Sequence, residues 1–406
     1  MKILQINTVY KSGSTGKIAK DLNDLILADS NESYIAYGRG NHSDINCIKI
    51  GNKLDMNIHA LGTRIFDKHG LYSKKATIDF IKELEKLKPD IIHLHNIHGY
   101  YLNYPVLFEY LKKINKPVIW TLHDCWSFTG HCSYYEYNGC NKWQSECNIC
   151  PQLRQYPSSL VFDNSKNNFL LKKDNFTNLD CLTIVTPSNW LANEVRKSFL
   201  KDSNIKVIHN GIDLSIFKPL DSNFKEKYKL EKKFLILGVA SVWEERKGLE
   251  YFMELSRLIK DDEKIILIGL NNEQLKILPS NIIGIKRTEN QEKLAQIYSS
   301  VDVFVNPTLE DNFPTTNLES LACGTPVITY KSGGSPECID KTTGIVVEKG
   351  NLNQLYNAIL VVKKNRKDKY TLSCRTRAKN YFDKNDNFKE YIYLYNSKLK
   401  GVNENV

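Results

Sequence analysis

"PTLEDNFPTTNLESLACGTPVITYKSGGSPE" occupies residues 307–337 and follows an apolar run that ends at Asn306. Asp311 and Glu319 stand eight positions apart, one in a loop and one in the helix that begins after Pro314. Both carboxylates can therefore flank one pocket, and the first amides of the helix can hold a phosphate. A carboxylate beside a phosphate is favourable only where it accepts sugar or ribose hydroxyls. A capped helix with two solvated acids explains the same stretch equally well.

Short apolar runs alternate with helix-period stretches along the whole chain. Many runs are nearly continuous Ile, Val and Leu, as expected of parallel strands buried on both faces. The predicted strands are Lys2–Val9, Ser33–Tyr37, Asp90–His95, Val118–Leu122, Leu182–Pro187, Ile205–Ile208, Phe234–Ala240, Lys264–Gly269, Ile282–Lys286, Val301–Asn306, Pro326–Tyr330 and Gly344–Val347. Helices are predicted over 76–88, 189–200, 291–300, 351–364 and 382–401. The pattern predicts an α/β protein with two Rossmann-like, doubly wound domains.

The alternation pauses at the polar residues 210–233, which we interpret as the zone between the two domains. We therefore predict an N-terminal domain over 1–208, a C-terminal domain over 209–382, and a helix over 383–406 that crosses back to the N-terminal domain. Parallel sheets bind ligands beyond the carboxyl ends of their strands. We expect these edges to face a cleft, with the chemistry in the loops that follow the strands.

The composition is that of an ordinary globular protein of 406 residues, with a net charge of +10. The lysines are scattered rather than clustered, which argues against nucleic-acid binding. A solvated surface explains the charge, and so does an anionic small ligand or membrane surface. No apolar run approaches the roughly 20 residues that span a bilayer, and the N-terminus lacks the features of a signal peptide. We expect a cytoplasmic protein, with peripheral contact at the inner face of the plasma membrane as a hypothesis.

"YKSGSTGKIAKDL" (10–22) follows the first predicted strand and has the glycines and lysine of a phosphate loop. A P-loop needs a glycine where Lys11 stands and a hydroxyl where Ile18 stands, so we do not assign nucleotide hydrolysis. A glycine turn before a helix can still direct backbone N–H groups at an anion. A plain tight connection between strand and helix accounts for the glycines as well.

Histidines follow two neighbouring predicted strands. "TLHDCWSFTGHC" (121–132) places His123 where it can hydrogen-bond a sugar hydroxyl or move a proton, and Asp124 could orient it. "HLHNIHGYYLNY" (93–104) ends the preceding strand, and its polar and aromatic side chains suit a carbohydrate acceptor. The acceptor-binding candidates are His95, Asn96, His98 and Tyr100. A histidine satisfied in the core and ordinary loop packing are the alternatives.

"CSYYEYNGCNKWQSECNIC" (132–150) concentrates cysteines in a long predicted loop over 125–151. Four thiolates in a reducing compartment indicate a structural zinc site that staples the loop. The candidate ligands are Cys132, Cys140, Cys147 and Cys150. Free thiols or a disulfide pair remain open, and we assign this cluster no part in catalysis and expect no catalytic cofactor.

"DNFPTTNLESLACGTPVI" resembles the E-x7-E signature of the retaining GT-B glycosyltransferases of family 4. Asp311 stands at the first Glu position, which keeps the carboxylate on a shorter arm. Three further stretches resemble the same family in the same order: "TPSNWLANEV" (186–195), "HNGIDLSIFKP" (209–219) and "GVASVWEERKGLEYFMEL" (238–255). The resemblance extends over nearly the whole chain and implies the GT-B fold.

By this resemblance, Glu319 holds the nucleotide ribose and Asp311 contacts the transferred sugar, as does His123. Lys247 neutralises the diphosphate, and Arg246 substitutes for the family's usual Arg, which is Val242 here. The resemblance also assigns nucleotide-sugar contacts to Gly13, Gly16, Arg287, Asn312, Phe313, Pro314, Thr315 and Thr316.

The implied reaction moves a sugar from a UDP- or GDP-sugar to a hydroxyl of a glycan or lipid-linked glycan in surface polysaccharide synthesis. A glycosidase would need two carboxylates around the glycosidic bond, which the phosphate-binding helix disfavours. A sugar-nucleotide epimerase shares the double Rossmann plan, and a non-enzymatic basic binding module is a third alternative.

Overall fold

The computed structural model describes residues 1–403, and these form two compact units. Unit 1 comprises Met1–Ile208 and the segment that begins at Phe388, and unit 2 comprises His209–Asn387. The elements of unit 1 are β1 (Lys2–Val9), α1 (Gly13–Ala28), β2 (Glu32–Arg39), β3 (Cys47–Lys49), α2 (Lys53–Phe66), α3 (Lys74–Leu87), β4 (Ile91–Leu94), α4 (Tyr104–Ile114), β5 (Val118–Thr121), α5 (Ser165–Phe176), β6 (Leu182–Thr186), α6 (Asn189–Lys197) and β7 (Asn204–Val207).

Unit 2 repeats the alternation of strands and helices. Its elements are α7 (Phe224–Lys227), β8 (Phe234–Val239), α8 (Leu249–Leu255), β9 (Glu263–Ile268), α9 (Asn272–Lys276), β10 (Ile282–Ile285), α10 (Gln291–Ser300), β11 (Val303–Asn306), α11 (Thr315–Ala322), β12 (Val327–Tyr330), β13 (Gly344–Val347), α12 (Leu352–Asn365) and α13 (Asp368–Tyr381). A last helix, α14 (Lys384–Asn403), begins in unit 2 and continues into unit 1.

Each unit contains one parallel sheet. The strand order is β3-β2-β1-β4-β5-β6-β7 in unit 1 and β10-β9-β8-β11-β12-β13 in unit 2. Both orders reverse direction once, between β1 and β4 and between β8 and β11, as doubly wound folds do. The predicted fold class is therefore confirmed, and the two reversal points are where such sheets bind ligands.

All twelve predicted strands agree with the structure to within two residues at each end, and β3 was not predicted. β3 has only three residues, none of them buried, so it lacks the buried apolar run that marks the other strands. Several predicted strands also extend too far at their carboxyl ends. His95 and Leu122, for example, are buried but lie just beyond β4 and β5. Their backbone N–H groups still donate to the neighbouring strands, His95 to the Ile6 carbonyl and Leu122 to the Val185 carbonyl, both at 2.9 Å. Burial and hydrogen bonding therefore both continue one residue past the ends of β4 and β5.

Residues 210–233, interpreted as the zone between the two sheets, do connect β7 to β8. This stretch lies within unit 2, and its widely spaced apolar side chains are buried in that unit's core. The buried residues are Ile212, Phe217, Phe224 and Leu230. Single apolar residues in a polar background follow neither helix nor strand periodicity, so the sequence pattern does not reveal that they pack.

From Phe388 onward, α14 packs into the core of unit 1. Phe388, Tyr391 and Tyr395 are buried with Ile3 and Val185, which come from strands of the unit 1 sheet. Burial of a large side chain contributes roughly 2 kcal/mol, so this face fixes the helix on the sheet. Across residues 1–403, no helix is both long enough and apolar enough to cross a membrane.

Candidate functional site

Two loops of unit 2 meet at the point where its strand order reverses. One loop follows β8 and includes residues 240–248, and the other follows β11 and includes 307–314. Their backbones are joined, because the Leu309 N–H donates to the Arg246 carbonyl at 2.7 Å. The Thr308 hydroxyl donates to the same carbonyl at 3.3 Å. Strands paired side by side therefore bring two distant segments into one surface.

Lys247 and Asp311 form an ion pair on this surface. The Lys247 Nζ lies 2.5 Å from Asp311 Oδ2, and the two side chains are 22% and 16% exposed. The next residue, Gly248, has φ +75°, and a Cβ there would lie 2.2 Å from the Pro307 carbonyl oxygen. Glycine is therefore required for the turn that presents Lys247.

Arg246 lies beside the same loops. Its Nε donates to Glu244 Oε2 at 3.0 Å, and its Nη1 lies 3.5 Å from the Glu310 carbonyl oxygen. Val242, where the family has an arginine, is 58% exposed. The guanidinium is thus anchored near the Asp311 loop from a position four residues further along the chain.

Helix α11 begins without a side-chain cap, because its N-cap residue is Pro314. The first backbone N–H groups of a helix have no intrahelical partner. In α11 they belong to Thr315 and Thr316, which are partly exposed. Further along, the Tyr298 hydroxyl donates to Glu319 Oε2 at 3.0 Å. Burial, with the nearby Glu319 carboxylate, raises the pKa of Tyr298 well above its usual value, so this donor keeps its proton.

Other predicted donor-site residues of unit 2 differ in exposure. Asn312 and Phe313 are buried, and Phe313 stacks on His209 with ring centroids 4.9 Å apart. Arg287 is exposed after β10, the edge strand, two strands away from β8. The structure therefore brings together Lys247, Asp311 and the start of α11, but does not bring Arg287 to them.

A chain of buried polar groups crosses the reversal point of the unit 1 sheet. Gln5 lies on β1, and its Nε2 donates to the Ala19 carbonyl at 3.2 Å. This turns Oε1 toward His95 Nε2, 3.0 Å away. His95 Nδ1 lies in turn 3.1 Å from His123 Nε2. A polar residue inside the buried run "KILQINTV" was the available sequence signal for Gln5, and it was missed.

These hydrogen bonds define the protonation of both rings. Burial, together with the neighbouring His93 and His123, lowers the pKa of His95 well below its usual value. Burial lowers the pKa of His123 to about 4. Both rings are therefore neutral at pH 7. Because Gln5 accepts the His95 Nε2 proton, His95 Nδ1 must accept from His123 Nε2–H, which makes Nδ1 the acceptor nitrogen of His123.

The prediction that Asp124 orients His123 is wrong. Asp124 Oδ2 lies 2.8 Å from His98 Nε2, and Asp124 Oδ1 accepts from the Trp126 N–H at 2.9 Å. The sequence neighbour of His123 is thus used by another loop. His95 fills the orienting role, because side-chain partners across adjacent strands are chosen by register rather than by sequence proximity.

The four predicted acceptor residues divide into buried and partly exposed groups. His95 is 1% exposed with both ring nitrogens engaged, so the prediction that it contacts an acceptor directly is wrong. His98 is also buried, and its Nδ1 lies 3.1 Å from the Tyr156 hydroxyl. Asn96 and Tyr100 are partly exposed. Tyr156, 45% exposed beside the Tyr100 ring, was not predicted and offers an aromatic face to a sugar.

The glycines of the first loop serve its backbone. Gly13 opens α1 with φ +64°, and a Cβ on Gly16 would lie 3.2 Å from Val9 Cγ2. The Gly16 carbonyl accepts from the Lys11 N–H at 3.0 Å. The loop is therefore a tight connection between β1 and α1, and contact of Gly13 and Gly16 with a nucleotide sugar stays a prediction.

Cys132, Cys140, Cys147 and Cys150, four of the five cysteines of the loop, line one cavity of about 10 Å³. A hydrogen bond from the Cys132 thiol lowers the pKa of Cys150 to about 7. Among residues 1–403, no three histidine, cysteine, aspartate or glutamate side chains stand close enough to coordinate a metal as they lie.

Comparison with known proteins adds to this geometry. Residues 232–365 match the family described as "Glycosyl transferases group 1", and residues 51–216 match "Glycosyltransferase Family 4". WcaC, a proposed colanic acid biosynthesis glycosyl transferase of Escherichia coli (strain K12), is 24% identical over 371 residues. That alignment covers 87% of this chain and 89% of WcaC.

Two solved structures share the fold. Sucrose-phosphate synthase from Thermosynechococcus elongatus has a TM-score of 0.74 at 18% identity, covering 98% of this chain and 99% of that chain. HepE from Anabaena in complex with UDP-glucose has a TM-score of 0.68 at 14% identity, covering 98% of this chain and 100% of that chain.

Proposed function

Because the chain belongs to the family 4 glycosyltransferases of the GT-B fold, we propose that it transfers a sugar from a nucleoside diphosphate sugar with retention of configuration. The acceptor is a hydroxyl of a glycan or lipid-linked glycan in surface polysaccharide synthesis, a proposal supported by the likeness to WcaC. The observation that carries the proposal is the Lys247–Asp311 pair beside the uncapped start of α11. Peripheral contact with a membrane stays a prediction.

The donor diphosphate binds the start of α11. Unpaired helix amides and the positive end of the helix dipole attract phosphate oxygens, and Lys247 and Arg246 add positive charge. When phosphate engages Lys247, Asp311 is released to accept a sugar hydroxyl. Glu319 accepts from the nucleotide ribose, with Tyr298 holding its other side. A UDP-sugar is the first donor to test, since HepE was solved with UDP-glucose.

The reaction exchanges one C–O bond for another. The bond between sugar C1 and the diphosphate oxygen breaks, and the acceptor oxygen bonds to C1 on the same face. The acceptor proton passes to the departing phosphate oxygen. Negative charge grows on that phosphate in the transition state, where preorganised amides and Lys247 stabilise it most. Neutral His123 hydrogen-bonds a sugar hydroxyl of the substrate.

Glu319→Gln tests the donor site. We expect the Kd for UDP or GDP to rise roughly tenfold, because a charge-assisted hydrogen bond to the ribose becomes a neutral one. Nucleotide binding is measured by calorimetry, and transfer is assayed with a panel of UDP- and GDP-sugars and glycan acceptors. Glu273→Gln, on the exposed face of α9, is the matched control. Equal nucleotide affinity in the two variants contradicts the ribose role. Conversion of donor alone to an epimer would contradict the proposed reaction.

Gln5→Leu tests the orientation of His123. We expect kcat to fall roughly tenfold with little change in KM, the size of effect that outer partners of a histidine produce in metal sites. Gln5→Glu keeps the acceptor but places a carboxylate 3 Å from His95, about the observed separation. That charge favours the His95 cation, so activity should become dependent on pH near neutrality.

Thr183→Val is the control for this pair of variants. Thr183 is buried on β6 of the same sheet, and its hydroxyl has no hydrogen-bond partner. A loss of activity in Gln5→Leu that Thr183→Val reproduces, or a Gln5→Glu variant with an unaltered pH profile, would show that Gln5 is structural only.

A further inference from the structure

The loop between β5 and α5 contains little regular structure, yet four of its five cysteines converge. Between residues 125 and 164 the structure has only two single-turn 3-10 helices, Trp126–Phe128 and Lys142–Gln144. Cys132, Cys140, Cys147 and Cys150 nevertheless line the same cavity of about 10 Å³. That volume has room for one occupant of about the size of a water molecule or a single ion.

The backbone around the cavity is arranged to approach sulfur. The Gly130 N–H donates to Cys147 Sγ at 3.2 Å. A Cβ on Gly130 would lie 2.1 Å from the Ser165 carbonyl oxygen and 2.7 Å from the Cys147 Cβ, so only glycine allows this approach. Hydrogen bonds from outer groups to a ligand atom are a regular feature of metal sites.

Buried cationic groups face the same thiols. Lys172 is 1% exposed, and its ammonium donates to the carbonyls of Trp126 at 2.6 Å and Thr129 at 3.0 Å. Thr129, whose carbonyl accepts from Lys172, lines the cavity together with the four cysteines. A buried ammonium is costly unless an anion compensates for it, and neutral thiols do not.

His131 adds a second buried group at the cavity. Its Nδ1 lies 2.5 Å from Asp67 Oδ1, and both side chains are almost fully buried. Its Nε2 is buried without a hydrogen bond of acceptable geometry, although the Gln155 carbonyl faces the ring. Asp67 therefore fixes the ring at the wall of the cavity, which His131 and Cys150 both line.

We propose that Cys132, Cys140, Cys147 and Cys150 bind one Zn²⁺ as thiolates, in a structural site. Four thiols lose four protons and the ion carries two positive charges, so the complex has a net charge of −2. The Lys172 ammonium, held beside the cavity by the Thr129 carbonyl, supplies compensating positive charge. The sulfurs are not within coordination distance as they lie, so the ion draws them to about 2.3 Å. The site lies outside the proposed transfer chemistry.

Metal content of the full-length chain, purified without an affinity tag or added metal, tests the proposal. We expect about one zinc per chain by elemental mass spectrometry, since a tetrathiolate site binds tightly at neutral pH. Replacement by Co²⁺ should give the sulfur-to-cobalt charge-transfer absorption of a thiolate site. Removal of zinc by a chelator should lower Tm by about 5 °C or more.

Single substitutions then identify the ligands. Cys147→Ser and Cys150→Ser should lose most of the bound zinc, whereas Cys181→Ser, a cysteine outside the loop, should retain it. Lys172→Met should weaken zinc retention during chelation by roughly tenfold. Should the variants misfold, the wild-type measurements still decide. Less than about a fifth of a zinc per chain with no rise in Tm on zinc addition, or a mass two hydrogens lower from a disulfide in this loop, overturns the proposal.

Discussion

Lys247→Met should lower kcat for sugar transfer by roughly two to three orders of magnitude, with a smaller change in donor Kd. The reason is the position of the Lys247 ammonium, 2.5 Å from Asp311 and beside the start of α11. Charge on the leaving diphosphate grows only as the C1–O bond breaks. Removing the Lys247 ammonium therefore raises the free energy of the transition state more than that of the bound ground state. Single-turnover and steady-state kinetics with the preferred donor measure both effects.

The control is Lys276→Met on α9, whose ammonium pairs with the exposed Glu273. It removes the same charge from the surface of the same unit and should leave kcat unchanged. Asp311→Asn provides a second comparison, because it leaves Lys247 without its partner but keeps the cation. If Lys247→Met retained more than half of the wild-type kcat, the diphosphate would not depend on this residue and the proposed site would be wrong.

Acid should destabilise unit 1 strongly between pH 6.5 and pH 5. Five histidines of this unit have pKa values lowered by desolvation: to about 3 for His59 and His93, to about 4 for His123, and well below 6.5 for His69 and His95. Two of them must stay neutral for a second reason, because they accept backbone N–H groups. His59 Nε2 accepts from Gly70 at 2.9 Å and His69 Nε2 from Gly99 at 3.2 Å.

The sign follows from proton binding. Below pH 6.5 the unfolded chain binds protons that these five rings do not, so stability falls as the pH falls. As the pH falls, each ring lowers the free energy of unfolding by roughly 1.4 kcal/mol per pH unit until the pKa of that ring in the folded protein is reached. His131 opposes the trend, because Asp67 raises its pKa despite burial. The net loss by pH 5.5 should be several kcal/mol.

Denaturant unfolding at several pH values measures this loss. His59→Gln keeps an acceptor for Gly70 but cannot be protonated, so its pH dependence should be shallower by about one proton. His42→Gln, at a partly exposed position, should keep the wild-type dependence. Identical slopes for wild type and His59→Gln would show that His59 is protonated in the folded state, contrary to its hydrogen bonds.

Most of the fold follows from local patterns. Continuous apolar runs and amphipathic helices are properties of neighbouring residues, and two rounds of alternation are enough to predict two doubly wound sheets. What failed were features with weak local patterns: the three-residue β3 and the isolated buried side chains of 210–233. Whether such residues pair or become buried depends on segments that are distant in sequence and adjacent only in the folded unit.

The candidate site divides in the same way. Asp311 and Glu319 lie on one motif, so the sequence by itself determined that both flank the start of α11. Only the tertiary structure paired Lys247 with Asp311, 64 residues apart, and Gln5 with His95, 90 residues apart. The tertiary structure also pairs Asp124 with His98 and places Lys172 beside the cavity that the cysteines line. The spacing of apolar residues and the capping of a helix are decided within a few residues along the chain. The partner of a buried polar group is instead decided by strand order and register.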